Sequence, residues 1–290
     1  MPSSPAIHLM VFFSFFQYFS DFFHPFTFVC KQVVKEDSED CTRCFCKPNH
    51  SLFAEFYHVE ANEPVDQPFM TMERDGCGCG DDCAKPCIGC FACTTDCTQE
   101  AKLYAGPVSG KPGTLAGQER KNLLGASVQP ITGGGLKPVV QVMNRAQEDS
   151  VSKTFAALRG PTCFGGCSEL CCDVKFGMSA AKDGISVSEI HELQFGDFAT
   201  IKKLKPSGLG QAMREVFTDS DLYEVKFVTK AISAQQKANV LSTMIHLDYM
   251  FFELDGDMCG PSDNGFYINL FNCFCYGMVC PCKLVFRKSD

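Results

Sequence analysis

One stretch near the C-terminus, from Gln211 to Glu253, constrains the fold more than any other part of the chain. Ser233 and Gln236 have the spacing of a capping box, which marks the start of a helix. From Lys237 to Phe252 the residues are almost continuously apolar, and Gly256 is placed to end the helix. The sequence therefore predicts a helix of about four to five turns.

The predicted helix is apolar around most of its circumference. Its polar side chains share one narrow stripe, formed by Asn239, Ser242, Thr243 and His246. A helix that is apolar nearly all round is a buried helix, in protein or in lipid. A membrane span needs roughly 20 apolar residues, whereas this run is shorter and carries His246 and Asp248. We therefore expect a helix in the protein core, with a membrane span as the alternative.

The composition narrows the classes of function. The net charge of −8 gives no support for general binding to nucleic acid or to anionic lipid surfaces, so we expect no specific nucleic-acid partner. A chain of 290 residues can hold one large β domain or two small ones. Its 20 cysteines are clustered, which argues against a secreted scaffold stapled by disulfides, and no convincing secretion signal is present. We expect an intracellular protein with reduced or lipidated thiols.

Two motifs at either end of the helix region carry a family resemblance. The string FTDSDLYEVKF at 217–227 is an acidic turn that leads into a β-prone run, and LDYMFFE at 247–253 ends the helix. Both motifs, at this spacing, resemble the phospholipid scramblase family. The resemblance implies a mainly β, tubby-like fold, in which a closed antiparallel β-barrel surrounds a hydrophobic C-terminal helix. It also implies movement of phospholipids between bilayer leaflets in both directions without ATP, at the cytoplasmic face of the plasma membrane.

Several other segments have β character. Residues Ser51 to Val59 alternate apolar and polar, and Pro68 to Glu73 is a second short strand after a hairpin loop. The segment Cys30 to Arg43 resembles the family's early strand. Further expected strands are Pro138 to Asn144, Val151 to Leu158 (a strand or a short helix), Ile185 to Leu193 and Phe195 to Leu204.

We divide the chain into three parts. Residues 1–29 do not resemble the family and are either a membrane-anchoring segment or an artefact of the gene model. Residues 30–255 form the scramblase-like domain, and residues 256–290 form a Cys-rich C-terminal extension.

The densest cysteine cluster lies between Cys77 and Cys97. Structural zinc, disulfides and S-acylation compete for it. Zinc needs four ligands, and Cys87, Cys90 and Cys93 have usable spacing but lack a clear fourth partner. The family carries a palmitoylated cluster at this place, so the resemblance favours lipidation. The candidate lipidation sites are Cys77, Cys79, Cys83, Cys87, Cys90 and Cys93.

Two later cysteine groups leave alternatives open. The segment from Gly160 to Met178 resembles the family's second Cys-rich segment and holds Cys163, Cys167, Cys171 and Cys172. A zinc site shared between this segment and the first cluster stays open. The C-terminal stretch Phe266 to Val279, with cysteines at 273, 275, 280 and 282, is either an acylated tail apposed to a membrane or a packed pair of strands.

The family's acidic turn is a proposed calcium site, so calcium is the candidate cofactor and zinc the alternative. Asp219 and Asp221 would stand at the first and third positions of a twelve-residue loop, where calcium takes oxygen ligands. Lys230 stands where the closing acidic residue would be, and Glu224 replaces the turn glycine. Asp219, Asp221 and Glu224 are the candidate ligands, and a structural turn is the competing interpretation.

A basic patch is formed by Lys202, Lys203 and Lys205. It is either the solvated end of a strand or a contact for a headgroup, a phosphate or the nuclear import machinery.

No hydrolase triad, nucleophile elbow, dinucleotide fingerprint or HExxH string is present, so the sequence favours lipid transport over bond-making catalysis. A lipid headgroup needs a polar path through hydrocarbon. The candidates for that path are Asn239, Ser242, His246 and Asp248. In a buried helix these residues would instead satisfy internal polar groups. The rival functions are an acyl-anchored regulatory protein that binds lipid or protein partners without transport, and a zinc-stabilised adaptor.

Overall fold

We describe a computed structural model of the chain. The described residues are 8–15, 28–37, 51–60, 63–64, 66–74, 92–108, 122–145, 152–206, 222–229, 231–252, 258–262 and 265–287.

A large antiparallel sheet dominates this part of the chain. Most of its strands follow one another in the sheet in the order in which they occur in the sequence. They are β1 (His8–Phe15), β2 (Phe28–Asp37), β3 (Leu52–Glu60), the short β4 (Glu63–Pro64) beside β3, β5 (Met70–Arg74), β6 (Glu100–Ala105), β7 (Leu123–Val128), β8 (Val139–Arg145), β9 (Ser152–Arg159), β11 (Val174–Ala180), β12 (Ala199–Lys203) and β13 (Tyr223–Phe227).

A second, smaller antiparallel sheet contains a strand that the chain inserts between β9 and β11. This strand, β10 (Cys163–Phe164), pairs with β15 (Gly265–Cys275). The two remaining strands, β14 (Cys259–Ser262) and β16 (Met278–Arg287), also pair with β15. The smaller sheet therefore joins the C-terminal extension to the middle of the chain.

The long helix α2 (Ala234–Phe251) is buried, as its apolar sequence predicts. The capping box is present, because the Ser233 side chain accepts from Gln236 N and the Gln236 side chain accepts from Ser233 N. Val240 and Met244 lie on one face of the helix and His246 on another, and all three are 0% exposed. The prediction of a core helix is confirmed. In the described residues, no helix combines the length and the hydropathy that crossing a bilayer requires.

An aromatic cluster closes the C-terminal end of α2. The Phe251 ring packs against Phe164 of β10, Phe176 of β11 and Phe274 of β15, with ring centroids 5.2 to 5.9 Å apart. Since these three strands come from both sheets, the Phe251 side chain belongs to a core that the two sheets and α2 share.

The structure corrects one predicted strand. Ile185 to Leu193 contains the helix α1 (Val187–Glu192), which begins with a capping box formed by Ser186 and Glu189. The apolar residues Ile185 and Ile190 pack against Val139 and Ala157. The Ser-x-x-Glu spacing of Ser186 and Glu189 is visible in the sequence, and it favours a helix over a strand.

The other predicted strands are present with shifted ends. Val151 to Leu158 is the strand β9, which settles the choice between strand and helix. Phe195 to Leu204 becomes a strand only at Ala199, because Gly196 adopts φ +73° and makes a turn before it. In the C-terminal stretch, β15 and β16 form the pair of strands. The part of residues 1–29 that is described includes β1, which pairs along its whole length with β2.

Candidate functional site

The polar stripe of α2 faces β7 and β8. Asn239 Nδ2 donates to Asn144 Oδ1 at 2.6 Å and lies 3.4 Å from Leu124 O. Gln235 Nε2, one turn earlier, donates to Leu124 O at 2.6 Å and to Arg145 O at 2.8 Å. These bonds fix the first half of the helix to two neighbouring strands, through their main chain and through the Asn144 side chain.

A glycine in β7 makes this approach possible. A Cβ atom at Gly125 would lie 2.6 Å from Asn239 Nδ2 and would also overlap Met143 O. Glycine in a strand interior often marks a site of close approach, and here it admits the Asn239 amide. The sequence singled out Asn239 but gave no signal for the matching role of Gly125.

His246 continues the stripe toward the C-terminal end. Its Nδ1 lies 2.7 Å from Ser127 Oγ, and both residues are buried. Thr243, between the two, donates its hydroxyl to Asn239 O at 2.7 Å. Ser242 is buried as well. The stripe thus lies inside the protein, and two of its members, Asn239 and His246, contact strand residues.

Asp248 lies away from this stripe. Its Oδ1 accepts a 2.6 Å hydrogen bond from the Tyr223 hydroxyl on β13. The structure therefore brings Asn239 and His246 together along β7 and β8, and places Asp248 against another strand of the sheet. The four candidate path residues Asn239, Ser242, His246 and Asp248 therefore do not form one continuous polar line along the helix.

Most of the first cysteine cluster lies outside the described residues, namely Cys77, Cys79, Cys83, Cys87 and Cys90. Cys93 is described and is exposed, with its Sγ 3.9 Å from Cys97 Sγ. The neighbouring Ala92 donates its backbone N–H to Tyr276 O at 3.0 Å. The end of the first cluster therefore lies beside the turn between β15 and β16.

The second cysteine segment contacts the C-terminal extension at two points. Cys163 Sγ lies 3.1 Å from Cys273 Sγ. Cys167 lies near Cys171 and Cys259, and burial, followed by these neighbouring thiols, raises the pKa of Cys167. In the described residues, no group of three or more His, Cys, Asp or Glu side chains could hold a metal ion.

The three lysines of the basic patch each have a partner. Lys202 Nζ lies 2.7 Å from Asp173 Oδ2, and Lys203 Nζ lies 2.8 Å from Glu169 Oε2. Lys205 donates its backbone N–H to Asp173 Oδ1 and its Nζ to Cys171 O. These contacts favour the strand-end interpretation over a free contact for a headgroup.

Of the candidate calcium ligands, only Glu224 lies in the described residues. It stands on β13 directly opposite Lys202. The pKa of Lys202 is raised, first by its hydrogen bond to Asp173 and further by the charge of Glu224. An ammonium group beside a carboxylate repels a bound cation, and a calcium role for Glu224 stays a prediction. Asp219 and Asp221 lie outside the described residues.

Comparison with known proteins gives one match. Residues 153–254, about a third of the chain, match the family model Scramblase. The match confirms the resemblance carried by the acidic turn and by the string that ends α2. No curated protein and no solved structure matches the chain.

Proposed function

We propose that the protein is a phospholipid scramblase-like membrane protein, which moves phospholipids between leaflets without ATP and without making or breaking covalent bonds. The observation that carries this proposal is the family match over residues 153–254. That segment contains β9 to β13 and α2, and therefore most of the aromatic cluster and the polar stripe.

The proposed architecture is a barrel around α2. The ends of the large sheet are β1 and β13, and these two strands lie near each other. Helix α2 contacts β6, β7 and β8 through one part of its surface, and its Asp248 contacts Tyr223 on β13. Approach of the two sheet ends, with a helix buried between the strands, supports closure.

Attachment to the cytoplasmic face of the plasma membrane is proposed through two features. The first is acylation of the cysteine cluster from Cys77 to Cys93, because several acyl chains give stable anchoring. The second is the outer end of the smaller sheet, whose side chains include Lys283 and Arg287 beside exposed apolar residues. Those apolar residues are Phe266, Leu284, Val285 and Phe286, between 44% and 55% exposed.

We expect Phe286→Asp to weaken binding to liposomes that contain anionic lipid. Burial of a phenylalanine side chain contributes about 1.5–3 kcal/mol, so the loss is roughly tenfold or more. Co-sedimentation of the purified protein with such liposomes measures it. Leu136→Asp is the matched control, since Leu136 is 59% exposed in the loop before β8 and lies outside the smaller sheet. Equal losses for the two variants would remove the smaller sheet from the proposed contact.

Calcium activation is proposed through Asp219 and Asp221. Calcium takes several oxygen ligands, and these two aspartates supply the first part of such a set. Glu224 stands opposite Lys202 in the strand pairing, so the remaining oxygens would come from elsewhere in the acidic turn or from lipid phosphate.

A second candidate function is favoured by the burial of the polar stripe. Asn239 and His246 are occupied by Asn144 and Ser127, so they satisfy internal groups in this conformation. A barrel whose helix polar stripe is buried fits an acyl-anchored regulatory protein that binds lipid headgroups or protein partners. Scrambling by such a barrel would require lipids to move along its outer surface or α2 to leave its strand contacts.

Lipid exchange in liposomes tests the proposed function. The purified protein is incorporated into liposomes with a fluorescent phospholipid in both leaflets, and dithionite bleaches the outer leaflet. A scramblase exposes the inner-leaflet lipid to bleaching, so we expect the bleached fraction to rise above that of protein-free liposomes. Loss of the calcium-dependent part in Asp219→Ala/Asp221→Ala would support a working acidic turn.

Continued protection of the inner leaflet would contradict lipid transport. If folded, liposome-bound protein leaves the inner leaflet protected with and without calcium, the regulatory protein becomes the better assignment. Binding to liposomes in the same preparation then separates a tethered protein from one that fails to reach the membrane.

A further inference from the structure

Two cysteines that are 110 positions apart in the chain meet in the smaller sheet, where the C-terminal extension pairs with residues 153–254 (the scramblase segment). Cys163 lies on β10, inside the matched residues, and Cys273 lies on β15, in the C-terminal extension. They are directly opposite each other in the antiparallel pair, and both are free thiols. Their Sγ atoms are 3.1 Å apart.

Opposite residues in antiparallel strands form either hydrogen-bonded or non-hydrogen-bonded pairs, and side chains are closer together in the second kind. Phe274 N donates to Thr162 O at 2.8 Å, so the hydrogen bond flanks the cysteines and they form a non-hydrogen-bonded pair. Opposite residues of that kind have Cα atoms about 4.5 Å apart. A disulfide accommodates Cα separations of roughly 4.4–6.8 Å. A bond between Cys163 and Cys273 therefore needs no rearrangement of the two strands.

We propose that Cys163 and Cys273 form a reversible disulfide when the protein meets hydrogen peroxide, which covalently joins the C-terminal extension to the scramblase segment. The inference does not depend on lipid movement, because it concerns the pairing of two strands of the smaller sheet. The neighbouring residues Phe164 and Phe274 both pack against Phe251. The bond would thus fasten the aromatic cluster at the end of α2.

The two thiols have different exposures, which assigns their roles. Cys163 is exposed and Cys273 is half-buried, so peroxide reaches Cys163 first. The Cys163 thiolate attacks one peroxide oxygen, giving a sulfenic acid and hydroxide. The Cys273 sulfur then attacks Cys163 Sγ, the S–O bond breaks, and water leaves with the thiol proton. Overall, two thiols are oxidised to a disulfide and one peroxide is reduced to two waters.

The environment of Cys273 predicts a pH dependence. Its hydrogen bond with Cys163, and then burial, raise the pKa of Cys273 above the ordinary thiol value. The thiolate is the attacking species in disulfide formation. We therefore expect the bond to form faster as the pH rises above neutral.

A third cysteine provides the matched control. Cys280 on β16 lies opposite Cys273 on the other side of β15. The residues Cys163, Cys273 and Cys280 thus follow one another across three adjacent strands. Cys280→Ser removes a competing thiol at the same level of the sheet and leaves the β10 pair intact.

Peptide mapping of the full chain tests the proposal. The reduced protein is treated with hydrogen peroxide, free thiols are blocked with N-ethylmaleimide, and chymotrypsin is added without reductant. Cleavage after phenylalanine isolates each cysteine of the pair on its own peptide, residues 156–164 and residues 272–274. Each of these peptides contains one cysteine, so a linked mass identifies the bond directly.

We expect the linked peptides in wild type and in Cys280→Ser, and their loss after dithiothreitol and in Cys163→Ser and Cys273→Ser. Because a long loop is closed, oxidation should also raise the unfolding temperature of wild type by about 5 °C, but not that of Cys163→Ser. A bond of Cys273 mainly to Cys280 would overturn the proposal. So would sulfinic acid at Cys163 with Cys273 still free. The wild-type map decides the question even if a variant fails to fold.

Discussion

Phe251→Ala is expected to lower the free energy of unfolding by about 3–5 kcal/mol, the range for removing a buried phenylalanine side chain. Phe251 is 2% exposed, and its ring packs against Phe164, Phe176 and Phe274. These residues come from three strands and cannot all move into the vacated space. The cavity therefore persists, and both sheets lose a shared contact. Denaturant unfolding of the purified protein, followed by circular dichroism, measures the change.

The matched control is Phe286→Ala. Phe286 is 55% exposed on β16, so its truncation should change the free energy of unfolding by less than about 0.5 kcal/mol. If the two variants lost similar stability, the aromatic cluster would not be the common core of the sheets and α2.

Glu169→Gln is the second change with a large expected effect. Glu169 Oε2 lies 2.8 Å from Lys203 Nζ, and the two side chains are only 14% and 8% exposed. Glutamine keeps the shape but removes the charge, which leaves the buried Lys203 ammonium without this carboxylate. Lys203 also lies 4.1 Å above the Phe252 ring, which offsets part of the loss. We expect the free energy of unfolding to fall by about 2–4 kcal/mol.

A neighbouring ion pair provides the control. Lys202 and Asp173 are joined at 2.7 Å, but their side chains are 33% and 29% exposed. Asp173→Asn should therefore cost less than about 1 kcal/mol. In Glu169→Gln/Lys203→Met the buried ammonium charge is removed as well, and much of the lost stability should return. Failure of the double variant to recover would show that the carboxylate acts through packing rather than through charge.

Acidification should remove the contribution of Asp173 in a defined direction. The hydrogen bond from Lys202, and then the backbone N–H of Lys205, hold the pKa of Asp173 below its ordinary 3.8. A lowered folded-state pKa stabilises the protein above the unfolded value, and the effect disappears as the pH falls through the folded value. The contribution is small because about a third of each side chain of the pair is exposed to solvent.

The helix could be predicted from sequence because local signals agree there. The capping box at Ser233 and Gln236 fixes its start, and its uniformly apolar surface predicts burial. The strand Leu52–Glu60 could also be predicted, since its alternating residues Leu52, Ala54 and Phe56 pack in the core. In these segments, residues close in sequence decide the structure.

The contacts between distant segments could not be predicted in this way. The approach of Cys163 to Cys273 depends on β10 leaving the order of the large sheet to pair with β15. No local pattern encodes that pairing. Similarly, the carboxylates that pair with Lys202 and Lys203 lie about 30 residues away in the chain. The helix α1 is a different case, because its capping box was local and competed with an apolar alternation that resembled a strand.

The hydrogen bonds of Gln235 and Asn239 to β7 and β8 also determine the rotational setting of α2. Helix α2 is apolar nearly all round, so the hydrophobic effect alone distinguishes poorly between one angle about its axis and another. Rotation of α2 about its axis would move the Asn239 amide away from Gly125 and Asn144 and leave buried polar atoms without partners. The few polar residues of α2 thus determine both its rotation about its own axis and its position along that axis relative to the sheet.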